Sequence, residues 1–305
     1  AVHSGCGCAA AMSDATFHGV RLSSPEKILY PEQGITKLAL AEYYEALADW
    51  MLPHLVNRPI SLVRCPAGRA KKCFFQRHAG SGVPPQLSEV PIEGFGEEEA
   101  FLYIRNVSGL MALVQMGVLE MHPWGSRVDN PMKPDRMIFD LDPGEGLAFS
   151  EVVKAAKELR AFLEELGLVS FLKTTGGKGL HIVVPIARRY SWPEVKTFAK
   201  RVGELMTAKS PERYLTRISI AERRGKIFID YLRNDPTSTA VGPYSTRARE
   251  GAPVATPLSW EELTPKLDPK AFDIKSVPKR LSKLKSDPWD GIAKLAQKLP
   301  SLASS

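Results

Sequence analysis

The chain has 305 residues, 44% hydrophobic and 25% charged, the composition of an ordinary globular protein with enough core for one large domain or two. No apolar run approaches ~18 residues, which excludes a membrane-spanning helix. The opening AVHSGCGCAAAMSDATFHG is too polar for a secretory signal. A formal net charge of +7 favours an anionic partner without naming one.

Residues 1–13 read as a linker or an appended remnant. Leu40, Tyr43, Tyr44, Leu47 and Met51 recur at helical spacing and predict a helix from Thr36 to Leu52, ended by Pro53. A short strand at Ile60–Val63 leads into a loop dense in Arg, Lys and Gly, closed by Phe74 and Phe75. The segment 101–121 reads as a strand plus a short helix, and MIFDLD at 137–142 as a strand. The span Ser150–Leu166 predicts a helix capped by Ser150, with Val152, Ala156, Leu159, Leu163 and Leu166 on one face and Gly167 as its stop. LVSFLKTTGGKGLHIVVPI then reads as two strands about a Gly-rich turn, followed by a helix from Pro193 to Ala208 opened by a Ser191/Glu194 capping box. KIFIDYL is a further strand. Residues 266–298, with nine Lys or Arg against four Asp, predict short surface helices, and 291–305 a tail. Helices alternate with strands and hairpins, which indicates α/β or α+β architecture with a mixed sheet. Of four cysteines, Cys6 and Cys8 lie in the leader, while Cys65 and Cys73 flank the basic loop. Without a C-x-x-C pair, free thiols in a reducing cytosol are the expectation.

The chemistry begins with RMIFDLDPGEG. Side chains at i and i+2 of a strand share a face, so Asp140 and Asp142 project together. Two carboxylates on one face repel, and a hard divalent cation such as Mg²⁺ or Mn²⁺ neutralises them. An isolated D-x-D before Pro-Gly is equally what a solvated strand end looks like. Asp230 ends another apolar run. If its strand neighbours the first, three carboxylates converge, a number suited to two metal ions and to phosphoryl or nucleotidyl transfer. In KTTGGKGLHIVV, glycines allow backbone N–H groups to approach phosphate, while Thr175, Lys178 and His181 add donors and charge. The same glycines would serve a plain hairpin. It is no P-loop, because the G-x-x-x-x-G-K-[ST] order is absent.

Together FDLDPGEG, TTGGKGLH, IFIDYLRN and STRARE resemble the polymerase module of the bacterial ATP-dependent DNA ligases of the D type, members of the archaeo-eukaryotic primase superfamily. The resemblance runs from about Val20 to Pro288. It implies a single primase-type domain over 14–290, with an RRM-like mixed or antiparallel sheet carrying the metal ligands Asp140, Asp142 and Asp230, and two Mn²⁺ (or Mg²⁺) ions. It implies that Thr175, Lys178, His181 and Arg247 bind the triphosphate of an NTP or dNTP. His122, in LEMHPWG, would lie near the nucleotide, and Phe74 and Phe75 near the incoming base or template. Lys27 and Lys37 would grip a downstream 5′-phosphate; Ser24 stands where the family usually has Asn. Arg223 and Arg224 match a basic loop that aligns template or ends. The implied activity is addition of nucleotides, ribonucleotides preferred, to DNA 3′ ends in gap filling and nonhomologous end joining. The implied partners are DNA ends and gapped or nicked duplex, ligase and phosphoesterase domains of one polypeptide, and a Ku-type end-binding protein, in the bacterial cytoplasm at the nucleoid. Rival readings of the residues are a metal-dependent nuclease, a non-catalytic end-bridging module and a D-x-D glycosyltransferase.

Overall fold

The structure, a computed structural model, describes residues 15–95, 99–217 and 221–302; the 1–13 segment, with Cys6 and Cys8, lies outside them. The chain opens with two hairpins, β1 (Ala15–Phe17) with β2 (Val20–Leu22), then β3 (Ile28–Tyr30) with β4 (Ile35–Thr36). Helices α1 (Lys37–Ala46) and α2 (Ala48–Leu55) follow. Thr36 caps α1 by accepting from Ala39 N–H. The single helix expected over 36–52 is thus two, because the backbone turns out of helix at Leu47 (φ −104°, ψ 5°). Pro53 does not end it. It sits one turn into α2, where only one backbone bond is forfeited.

A five-stranded sheet is built from β5 (Ile60–Arg64), β6 (Phe74–Gln76), β7 (Ser88–Val90), β8 (Phe101–Tyr103) and, after helix α3 (Val107–Gln115), β9 (Val118–Pro123). Here the cysteine expectation is corrected: Cys65 and Cys73 form a disulfide. Arg64 on β5 pairs with Phe74 on β6, so the next residues outward, Cys65 and Cys73, face each other across the hairpin. Spacing in sequence could not reveal that register, and cysteine usage no longer argues for a reducing compartment. The bridge closes a loop with a sequence separation of 8. Reduction is expected to lower stability by about 2.5 kcal/mol through loop entropy. An unfolding midpoint that is the same with and without reductant would show that the bridge contributes nothing.

The second sheet carries the order β13-β14-β10-β12-β11-β15. Its strands are β10 (Arg136–Pro143), β11 (Phe171–Thr174), β12 (Leu180–Pro185), β13 (Tyr214–Leu215), β14 (Ile227–Asp230) and β15 (Pro257–Leu258), with α4 (Phe149–Glu165) after β10, α5 (Trp192–Lys209) after β12, and α6 (Ser276–Leu281) near the end. Taken as β10-α4-β11-β12-α5-β14, this is a split β-α-β-β-α-β unit, and its four strands lie fourth-first-third-second and antiparallel. That is the RRM-like mixed architecture expected. Right-handed crossovers place both helices on one face, where Met137, Phe139, Leu141, Leu172, Ile182 and Val184 are fully buried. Each such side chain contributes about 1.5–3 kcal/mol of burial. The alternate residues of the same strands are thereby directed to the opposite face. Helix α5 opens with the Ser191/Glu194 capping box as expected. Helix α4 does not use Ser150: Ala148 holds the cap position, with no side-chain bond. Residues 291–302, expected as a tail, lie along the sheet, with Gln297 paired to Ile186 and bonded to Ala187, Val169 and Pro185. Among the described residues, no helix is long and apolar enough to cross a membrane.

Candidate active site

The open face of the second sheet gathers polar residues in register. Asp230 on β14 pairs with Asp140 on β10, Asp140 with His181 on β12, and His181 with Lys173 on β11. Directly opposed residues share a face, so the four form one row, with Asp142 one step along β10. The conditional adjacency of Asp230 and Asp140 is therefore realised. Asn234 locks it from below, since its amide accepts from Ile138 N–H and donates to Ile138 O, both at 2.8 Å.

Two glycines permit this closeness. A Cβ on Gly179 would meet Leu141 O at 2.6 Å and the carboxylates of Asp142 and Asp140 at 3.2 and 3.5 Å. A Cβ on Gly144 would fall 1.7 Å from Arg223 O, because the basic loop folds directly onto the end of β10. This loop brings Arg223 beside the carboxylates, with its guanidinium stacked 4.0 Å over Phe228. Arg224 is exposed.

The carboxylates are not electrostatically equal. Burial opposes charge on Asp140, yet His181, Arg233 and Lys173 hold it at about 2. Its Oδ2 lies 3.3 Å from His181 Nε2, and its Oδ1 is buried without a hydrogen-bond partner. Burial and then the Lys173 charge pull His181 down to about 4, so it is neutral at pH 7 and donates Nε2–H to Asp140. Burial and the charge of Asp140 push Asp142 up to about 6. Asp230 is raised by burial, with Arg233 opposing. The guanidinium of Arg233 bridges the pair, its Nε 3.3 Å from Asp140 Oδ2 and 3.2 Å from Asp230 Oδ2. Among the described residues no three His, Cys, Asp or Glu side chains are closed up as an ion cage. The donor chemistry nonetheless fits a hard cation: oxygen ligands only, mutual repulsion, and one orphaned buried carboxylate oxygen.

Above the row lies a cleft of about 340 Å³. Of the expected nucleotide contacts, His122, Thr175, Lys178, His181 and Arg247 line it, together with Asp140 and Asp142. Lys178 is exposed and reaches freely, whereas the Thr175 hydroxyl bonds back to Gly179 O at 3.2 Å. Phe74 and Phe75 are 41% and 46% exposed and point to opposite sides of β6. Only Phe75 meets the site, edge-on to His122 at 5.9 Å, with Arg77 over its ring; Phe74 carries Arg64 instead. Lys27 and Lys37 do not line the cleft. They meet on the β3-β4 hairpin, where Lys37 N–H donates to Lys27 O. Lys37 is only 6% exposed, donates to Ser23 O at 2.6 Å, and is lowered by burial and by Lys27. Ser24 there has φ +51°, a left-handed conformation that Asn tolerates better.

Four residues beyond the expected set belong to the site. Arg233 and Arg249 line the cleft, and Lys173 is 2% exposed with an unpartnered Nζ. Glu120 on β9 accepts from His122 Nε2 at 2.8 Å and from Ala248 N–H at 2.8 Å, and is ion-paired with Arg247, whose Nε lies 3.1 Å away. Against burial, those partners hold it near 2. Arg247 in turn donates to Thr175 O. One carboxylate thus ties the first sheet to the 175–179 turn of the second. The i, i+2 spacing of Glu120 and His122 was the available signal.

Carboxylates in register on the open face of a split β-α-β-β-α-β sheet, under a cation-rich cleft, mark a nucleotidyltransferase of the primase-polymerase type. The family profile described as LigD, primase-polymerase domain, matches residues 36–289, and the chain belongs to that family. It is 39% identical over 291 residues to the multifunctional non-homologous end joining protein LigD of Pseudomonas aeruginosa, covering 95% of this chain and 35% of that protein. The corresponding protein of Mycolicibacterium smegmatis is 33% identical, covering 94% of this chain and 38% of its own length. Among solved structures, the polymerase domain of Mycobacterium tuberculosis ligase D in complex with DNA superposes with a TM-score of 0.85 at 31% identity, over 91% of this chain and 99% of that one. The chain thus spans little more than a third of the curated relatives it matches.

Proposed function

We propose that this chain is the polymerase of a DNA end-joining system, extending DNA 3′ ends at gaps and double-strand breaks, with ribonucleotides preferred, in the bacterial cytoplasm. The observation that carries the reading is the register pairing of Asp230 with Asp140, two residues along β10 from Asp142, beneath the cleft. Asp140, Asp142 and Asp230 would hold two divalent cations, Mn²⁺ or Mg²⁺. When bound, these supply charge neutralisation at the reacting phosphate and a lowered pKa for the attacking 3′-hydroxyl.

The chain's own groups do the positioning. Lys178, Arg247 and the backbone N–H groups of the 175–179 turn receive the triphosphate, with Arg249 alongside. Glu120 accepts from His122 Nε2–H, which leaves His122 Nδ1 as an acceptor. Phe75 offers a ring for base stacking, which tolerates any base. His181 holds Asp140 in one orientation. A nuclease would not need the triphosphate-side cations, and a non-catalytic end-bridging module would not need the carboxylate row. Both the ligase and phosphoesterase activities and a Ku-type partner are assigned to the rest of a longer polypeptide and its assembly.

The test is extension of a labelled primer on a gapped template with Mn²⁺ or Mg²⁺, comparing rNTPs with dNTPs. Absence of nucleotide addition under every condition sinks the reading. For the downstream end, changing Lys27 and Lys37 together to Ala is expected to erase most of the preference for a 5′-phosphorylated gap and leave simple primer extension within about threefold. This follows because phosphate contacts outside the cleft act mainly on affinity for the downstream end. If phosphorylated gaps are still preferred, those lysines are not the site.

A further inference from the structure

At the base of β10, away from the cleft, Arg136 presents an unsolved charge. It is 8% exposed and makes no ion pair among the described residues. Its one hydrogen bond, from Nη1 to His54 O, is long at 3.4 Å. The nearby carboxylate, Asp135, is already committed. Arg58 grips it with two bonds of 2.6 and 2.7 Å, and Arg127 Nε adds a third at 3.1 Å. Arg188 is likewise taken by Asp129, with two bonds of 2.8 Å. Four guanidinium groups therefore face two carboxylates. Burial, with Arg58 and Arg127 beside it, pushes Arg136 down to about 9, which still leaves it charged at neutral pH.

Buried charges are ordinarily paired, and an unpaired one costs several kcal/mol. Arg58, Arg127, Arg136 and Arg188 all border a cavity of about 140 Å³ between the sheet and residues 292–296. Asp135 also borders it, its carboxylate already held by Arg58 and Arg127, and the rest of the wall is apolar, with Pro185, Ile186 and Leu295 among the lining residues. Arg58 Nε and Arg188 Nε, on the same wall, are buried without partners. We propose that this cavity is a second anion site, taking a phosphate-class oxyanion between the guanidinium groups of Arg136 and Arg127 and tying residues 292–296 to the sheet. A tetrahedral oxyanion carrying more than one charge matches several planar guanidinium forks at once. The volume suits orthophosphate or a small phosphomonoester and excludes a nucleic-acid strand. The proposal is independent of the polymerase reading.

The test uses the full chain carrying Lys178→Ala and Arg249→Ala, which removes two exposed phosphate-side cations of the cleft without breaking the buried Glu120–Arg247 pair. Thermal midpoints are followed against sodium orthophosphate at ionic strength held constant with sodium chloride. A saturable rise of about 2 °C is expected at ten times the dissociation constant. Adding Arg136→Met should abolish the rise while leaving the phosphate-free midpoint unchanged or higher, since the variant removes an uncompensated charge and leaves Asp135 with Arg58 and Arg127. Arg127→Gln, a half-exposed position, should weaken phosphate at least threefold without affecting folding. A parallel titration with glycerol 3-phosphate assigns the source: response to both salts supports a phosphomonoester site, and response to orthophosphate alone supports an inorganic-ion site. No rise above the chloride control overturns the proposal. So does an undiminished rise in either variant, or a phosphate-free midpoint that collapses in Arg136→Met, because the protein itself would then satisfy the arginine.

Discussion

Asp140→Ala is expected to reduce primer extension at least a thousandfold while gapped DNA still binds, because metal-held charge stabilisation at a phosphoryl group is worth several kcal/mol. The companion variant Asp142→Asn should be equally inactive but more stable than the parent when divalent ions are removed. Burial and Asp140 push the Asp142 carboxyl up to about 6, above its ordinary value near 3.9 in an unfolded chain. The folded state therefore binds that proton more tightly. Stability from this group is fully present below about pH 4 and is lost as pH rises through about 6. At pH 7.5 the ionised carboxylate is a strain that Asn removes, worth on the order of 1–2 kcal/mol after allowing for its partial exposure. The gap between Asp142→Asn and parent in chelator should open between pH 4 and 7. Mn²⁺ should then reverse the order by stabilising the parent alone. A parent whose melting temperature ignores Mn²⁺ would remove these carboxylates from the list of metal ligands.

Glu120→Ala is expected to be the most damaging change outside the carboxylate row. It removes the acceptor shared by His122 and the Ala248 N–H, and it leaves the Arg247 guanidinium without its ion-pair partner in a largely buried position. Breaking a buried pair from one side costs about 3–5 kcal/mol. Nucleotide affinity should fall by about tenfold or more, since Arg247 also holds Thr175 O at the phosphate-side turn. Glu120→Gln keeps an acceptor without the charge and should recover most of the stability but not the affinity. Equilibrium binding of a fluorescent NTP, with a denaturant midpoint for each variant, separates the two effects. Equal nucleotide binding in parent, Gln and Ala forms would mean that Glu120 only packs.

Much of the site was legible because strand chemistry is local. An alternating strand must put Asp140 and Asp142 on one face whatever surrounds it, and an apolar run ending in Asp marks Asp230 in the same way. The 175–181 turn announces itself by its glycines. Helix α5 carries its own start signal in Ser191 and Glu194. Where local signals misled, a tertiary effect had overridden them. The break at Leu47 follows no residue preference, and Ser150 lost its capping role to Ala148, two residues earlier.

Other features have no sequence signature at all. Cys65 and Cys73 become partners only through the β5-β6 register. Arg233 reads as a solvent-facing residue after a strand until β14 and β10 come together, and Lys173 reads as one polar residue in a short strand until β11 completes the row. Glu120 gains its meaning from Arg247, which is 127 positions away. The sequence alone determined which residue types stand at which steps of each strand, and hence which chemistry was possible. The tertiary structure decided that the four strands lie fourth-first-third-second with both helices on one face. That choice depends on long-range pairing and crossover handedness, and it converts three separate acidic positions into a single row.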